Sequence, residues 1–141
     1  MASNPFPLPQ LSLELEGVRR HWLSLLRGGA DMPFWDDFAP SQLGAQAARS
    51  MLLDVFDKPL RFRFNAVVGE EIAKRYGEGV SDRFVDEIAV RPPFDFLGAQ
   101  ASATLECRAP TYFKSGDHAR LILPMWGDGR ISMLLTAFAW T

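Results

Sequence analysis

The stretch His118–Trp140, HARLILPMWGDGRISMLLTAFAW, decides the fold. Two runs of aliphatic, aromatic and β-branched residues, His118–Trp126 and Arg130–Trp140, flank Gly127-Asp128-Gly129. Two such runs about a glycine-bearing turn read as a β-hairpin. A three-residue loop, Gly127–Gly129 with Gly129 left-handed, sets Met125 opposite Ile131 and Leu123 opposite Met133. It also sets Leu121 opposite Leu135 and Ala119 opposite Ala137, so every pair is apolar. A two-residue loop at Asp128-Gly129 would oppose Met125 to Ser132 and Leu121 to Thr136. Cross-strand partners share a face, which favours the three-residue loop. Pro124 has no N–H for a ladder, so it marks an edge position or a bulge.

The second face of this hairpin carries Arg120, Ser132 and Thr136, but also Ile122, Trp126, Leu134, Phe138 and Trp140. A face that apolar needs cover. The cover expected is an N-terminal amphipathic helix, Leu11–Leu26, whose apolar stripe runs Leu11, Leu15, Val18, Trp22 and Leu25 or Leu26. Gly28-Gly29 ends it. Cover of this kind forms within one chain or between two, and amphipathic helices commonly build two-fold dimers. A homodimer is therefore expected, its interface made of Leu15, Val18, Trp22 and Leu26 with Ile122, Leu134, Phe138 and Trp140. Residues 1–30 read as an extension with this helix, and residues 31–141 as the main domain.

Between these ends the pattern alternates in kind. Pro40–Ala48 reads as a short helix with proline in its first turn. Met51–Phe56 reads as a strand, Asp57-Lys58-Pro59 as a turn, and Leu60–Phe64 as a strand with one buried face. Helices are expected from Gly69 to Tyr76, from Ser81 to Ile88 and from Asp95 to Cys107. Thr111-Tyr112-Phe113 starts a third strand before the final hairpin. An antiparallel sheet with helices grouped between its second and third strands is an α+β fold. Phe64, Leu121, Leu123, Met133 and Leu135 are expected in one buried cluster between sheet and helices.

Composition narrows the function classes. The chain has 141 residues, 48% of them hydrophobic and 23% charged, which suits one domain with one core. Twelve Arg and three Lys against 17 acidic residues give a net charge of -2, with no basic footprint for nucleic acid. One cysteine, Cys107, excludes an internal disulfide, and two histidines leave little for a metal site. No run of about 18 apolar residues predicts a membrane span. Met1–Gln10 lacks the basic start and apolar run of a signal peptide, so a cytoplasmic protein is expected.

The order of elements resembles a PAS domain, and the wording resembles a bacterial family of stand-alone PAS proteins. The likeness rests on Pro40–Leu43, on the strand Leu52–Val55, and on Gly69 and Gly77 bracketing a helix. It rests also on Tyr76-Gly77-Glu78-Gly79-Val80 and on Leu121-Ile122-Leu123-Pro124-Met125. It spans about Pro33 to Trp140. The family tends to place Arg at Ala66 and Gly at Asp82, and this chain departs at both. The resemblance implies a five-stranded antiparallel sheet and cytoplasmic sensing or signal transduction, through a small molecule or a partner protein, without catalysis.

Candidate site residues follow the predicted concave side. Phe62, Phe64, Tyr76, Phe96, Tyr112, Met125 and Met133 are read either as core or as the walls of an apolar ligand pocket. Ser102, Thr104 and Tyr112 are its candidate polar handles. His118 reads as a surface turn residue and Cys107 as a buried, inert thiol. Asp36-Asp37 and Glu70-Glu71 point apart and have no base, nucleophile or metal set beside them. No catalytic residue and no cofactor are expected: neither haem nor flavin has an anchor. Two functions remain, a ligand-binding sensory module and a ligand-free interaction or dimerisation module. Because the sequence ends on the last strand, output is expected to pass through a partner signalling protein or through oligomerisation.

Overall fold

Ser12 starts the first helix: its hydroxyl accepts the amide of Leu15, and α1 runs Leu13–Ser24. In the computed structural model, which describes residues 4–140, this helix precedes an α+β core. Short 3₁₀ turns follow at Trp35–Asp37 and Pro40–Arg49, the second kinked at Gly44. Then come β1 (Ser50–Phe56), β2 (Arg61–Val68), α2 (Glu70–Tyr76), a 3₁₀ turn at Val85–Glu87, and α3 (Leu97–Cys107). The strands β3 (Thr111–Ser115), β4 (His118–Gly127) and β5 (Arg130–Trp140) complete the chain. Gly77 ends α2 at a φ of 98°, and its amide returns to the Ala73 carbonyl.

The expected helix over Ser81–Ile88 shrinks to the turn Val85–Glu87. The backbone there is committed elsewhere. Phe64 donates its amide to the Arg83 carbonyl, and Asp82 donates to the Phe64 carbonyl. The residues before the turn therefore cover the outer edge of β2, which an open sheet must protect.

The sheet is five-stranded and antiparallel, in the order β2-β1-β5-β4-β3. The final hairpin departs from the expected register. Gly127 pairs with Arg130, so the loop is the two residues Asp128-Gly129, both at positive φ. That is the conformation favoured in a two-residue hairpin turn. A bulge near Ser132 then shifts the pairing, so that Met125 faces Met133, Leu123 faces Leu135, Leu121 faces Ala137 and Ala119 faces Ala139. The bulge removes the polar–apolar mismatch that counted against the shorter loop.

Cross-strand pairing also assigns the two faces. Leu53 lies opposite both Phe64 and Leu134, and Val55 opposite Phe62. Arg120 lies opposite Phe138 and Phe113, and Ile122 opposite Thr136 and Thr111. Phe94, from the chain before α3, touches the rings of Phe64, Tyr76 and Phe138. This face therefore packs under α2 and α3. The opposite face presents Leu121, Leu123, Met125, Leu135 and Ala137, each 0–1% exposed. It is covered by α1, which contacts β4 and β5 and buries Leu15, Val18 and Trp22.

Two expectations are corrected here. Phe64 does not share a layer with Leu121, Leu123, Met133 and Leu135; they lie on opposite sides of the sheet. The helix does not cover Ile122, Leu134, Phe138 and Trp140, which belong to the side of α2 and α3. Leu15, Val18 and Trp22 are buried within one chain, so they are not free to form a seam between two chains. Leu26 lies past the end of α1 and is half-buried.

Pro124 sits at an edge, as its missing N–H demands. β3 begins at Thr111, opposite Ile122, so nothing of β3 reaches Pro124. Its carbonyl accepts the Trp22 indole N–H at 2.9 Å, and the Trp126 amide donates to the Pro33 carbonyl at 2.8 Å. Side-chain and loop groups thus replace the missing strand beside this part of β4.

Candidate functional site

On the side of α2 and α3 a cleft of about 460 Å³ opens between β2, the 3₁₀ turn at Val85–Glu87 and α3. β2 contributes Arg61 and Phe62, with Leu60 just before it. The connecting segment contributes Val85, Asp86, Ile88 and Val90, and the α3 side contributes Phe94, Phe96, Leu97 and Ser102. Apolar walls with few polar groups are the usual form of a small-molecule site. Val90 and Phe96 are 79% and 64% exposed, which leaves apolar surface in water at the cleft. Phe96 has a φ of 58° and caps α3, with its ring 5.7 Å from that of Phe113. Left-handed backbone in a bulky residue stores strain of about 1–3 kcal/mol.

The interior behind this cleft is filled. Phe64, Tyr76, Phe94 and Phe138 form a buried aromatic chain with centroids 4.7–6.4 Å apart. Tyr76 closes its own polar end by donating to the Ala89 carbonyl at 2.6 Å. Beside the aromatics lies a buried arginine, Arg120, at 0% exposure. It donates to Gln100 Oε1 at 2.7 Å, to the Pro93 carbonyl at 2.8 Å and to the Asp95 carbonyl at 2.8 Å. Its guanidinium also lies 4.8 Å over the Phe113 ring. Burial pushes its pKa down to about 10, against the pull of the Asp95 charge, so it remains a cation at neutral pH.

The same network continues through Gln100 and Thr104. The Gln100 amide donates to Thr111 Oγ1 and to the Arg120 carbonyl, and Thr104 and Thr111 share a 2.6 Å hydrogen bond. α3 is thereby tied to both β3 and β4. His118 completes the polar interior. Its Nε2 lies 3.3 Å from Asp95 Oδ1, and its Nδ1 lies 3.5 Å from Asp117 Oδ1.

The predicted ligand set divides between these environments. Phe62 and Phe96 line the cleft, as does Ser102. Phe64 and Tyr76 pack behind it in the filled interior. Tyr112, Met125 and Met133 lie on the opposite face, since Tyr112 pairs with Leu121 and Met125 with Met133. Thr104 is committed to the buried network. His118 is buried between Phe113 and Phe138 rather than exposed in a turn, and Cys107 is exposed rather than buried.

The residues missed by sequence reasoning are of two kinds. Leu60, Val85, Ile88, Val90 and Leu97 belong to the cleft, but their spacing follows no single periodicity because the segment between β2 and α3 is irregular. Arg120 and Gln100 carried a signal. Arg120 interrupts the apolar run Ala119–Leu123, and Gln100 interrupts the small-residue run of α3. A charge inside a strand with two covered faces must be paired where it is buried.

At the cleft mouth Arg61 makes a bidentate pair with Asp86, both bonds 2.8 Å, and its Nη2 lies 3.5 Å from Glu87 Oε2. The guanidinium stacks 3.7 Å over the Phe84 ring. The Asp86 carboxyl, hydrogen-bonded by Arg61, is held below its ordinary value. Among the described residues, no group of three or more His, Cys, Asp or Glu is placed to hold a metal ion. Nor is any helix among them long and apolar enough to cross a membrane. Comparison with protein-family models, with curated proteins and with solved structures finds no match to this chain.

Proposed function

We propose that this chain is a cytoplasmic sensory module of the PAS type, which takes a small molecule into the cleft and passes the change to a partner protein. The cleft carries the reading: apolar walls from β2, the connecting segment and α3 meet around about 460 Å³. The strand order β2-β1-β5-β4-β3, with α2 and α3 between β2 and β3, supports the PAS resemblance. In this reading the protein acts by binding and catalyses nothing.

A route for the signal follows from the buried network. Phe94, Phe96 and Leu97 line the cleft, and the carbonyls of Pro93 and Asp95 beside them receive Arg120 of β4. β4 in turn holds α1 through the Pro124 carbonyl and Trp22. A ligand that moves the segment Pro93–Leu97 therefore acts on β4 and on the seating of α1. It shifts this equilibrium only as far as its affinities for the two arrangements differ.

The filled aromatic interior favours a second reading, a ligand-free interaction module. Methyl NMR separates the two. The protein, labelled at Ile and Leu methyls, is titrated to millimolar levels with a set of small ring compounds. Shifts concentrated at Ile88 and Leu97 support the sensory module. Methyls that stay fixed throughout the set refute it and leave the interaction module.

A further inference from the structure

Resting on the reading of the cleft as a ligand site, we infer that its ligand carries no anionic group: an apolar chain or ring with a hydroxyl or carbonyl for its polar end, and no carboxylate, sulfate or phosphate. The charges at the mouth carry this. Arg61 is the cation of the cleft wall, and its Nε and Nη2 are already engaged by carboxylates. Asp86 takes the Nε–Nη2 edge of its guanidinium at 2.8 Å, and Glu87 stands 3.5 Å from Nη2. Its flat face is occupied by the Phe84 ring at 3.7 Å.

An anionic ligand at Arg61 would compete with Asp86 for the guanidinium and would sit beside two carboxylates. The local balance, one guanidinium against Asp86 and Glu87, is negative. Like charges left side by side are how a site rejects the wrong ligand. The rest of the wall is hydrocarbon: Leu60, Phe62, Ile88, Val90, Phe94 and Leu97. Ser102 adds one hydroxyl, which suits a single hydroxyl or carbonyl on the ligand. Val90 and Phe96, both exposed, are the surfaces that such a ligand would cover.

The test uses 1-decanol and decanoate, which share a chain length and differ in the charged head. Each is titrated into the whole protein below its micelle or solubility limit, with Ile88 and Leu97 methyl shifts as the readout. Decanol is expected to bind at least about tenfold more tightly than decanoate. Asp86→Asn with Glu87→Gln removes the carboxylates and leaves Arg61 unpaired, so decanoate should gain and the gap should close. Decanoate binding as tightly as decanol to the unsubstituted protein would overturn the inference while leaving the cleft a ligand site. Failure of both to shift the methyls would overturn the inference together with the ligand-site reading. A gap that stays unchanged in the double variant would refute the role given to Asp86 and Glu87.

Discussion

Replacing Arg120 with methionine tests whether the buried network holds the fold together. The substitution keeps a long side chain and removes every donor. Gln100 Oε1 and the carbonyls of Pro93 and Asp95 lose partners that now lie 2.7–2.8 Å away. A buried acceptor left without a donor costs about 1–3 kcal/mol. The opposing effect is real, because the methionine no longer carries a charge that burial penalises. Local relaxation and partial rehydration of the Asp95 carbonyl, whose bond to Arg120 is only part-buried, recover more. Three such acceptors set a gross cost of about 3–9 kcal/mol, and these offsets bring the net expected loss to about 3–5 kcal/mol. A domain of this size has about 5–15 kcal/mol in all, so the variant should still fold with much reduced stability. In urea, with a slope of about 2 kcal/mol per molar, the midpoint should fall by about 2 M. Arg120→Lys keeps the charge, but its single ammonium cannot span three acceptors, so its midpoint should fall between wild type and the methionine variant. A methionine midpoint within about 0.3 M of wild type, at unchanged slope, would refute the argument.

Two further outcomes follow from single contacts. Trp22→Ala should lose about 3–5 kcal/mol in urea unfolding, since Trp22 is 3% exposed between α1 and the sheet. Trp22→Phe keeps most of that burial and removes only the donor to the Pro124 carbonyl, so it should lose about 1 kcal/mol; equal losses in the two variants would refute the packing role and place the whole effect in the hydrogen bond. The Asp86 carboxyl should titrate below its ordinary value of about 3.8 when followed by carbon NMR, and Arg61→Met should bring it back up. Its folded value is the lower one, so the pair's contribution to stability is complete above the unfolded value and is lost as pH falls through the folded one. Identical titrations in the two proteins would sink the pairing.

The architecture was legible where the sequence pattern had one physical meaning. The alternation Arg61-Phe62-Arg63-Phe64 could only be a strand with one covered face, and Phe62 and Phe64 are indeed buried while both arginines are partly exposed. Gly77 could stop a helix because its φ of 98° suits glycine, and the helix stops there. β4 and β5 were legible as strands but not as faces. Every residue from His118 to Met125 is buried, because α1 covers one side and the segment Pro93–Cys107 the other. A strand covered on both sides has lost the alternation that would say which side meets which helix. The register failed for a related reason. A bulge costs one residue and is invisible in a run where most neighbours are apolar; a rigid count therefore rejected the two-residue turn that Asp128-Gly129 favours. Once the faces exchange places, the candidate site must divide. Met125 and Met133 go under α1 with Tyr112 on their side of the sheet, and only residues tied to β2 and α3 remain around the cleft. Arg120 was readable from the same stretch that misled on register. With cover on both sides of β4 an arginine there could not reach water on either face, so its three hydrogen bonds to Gln100, Pro93 and Asp95 are what the strand's burial requires.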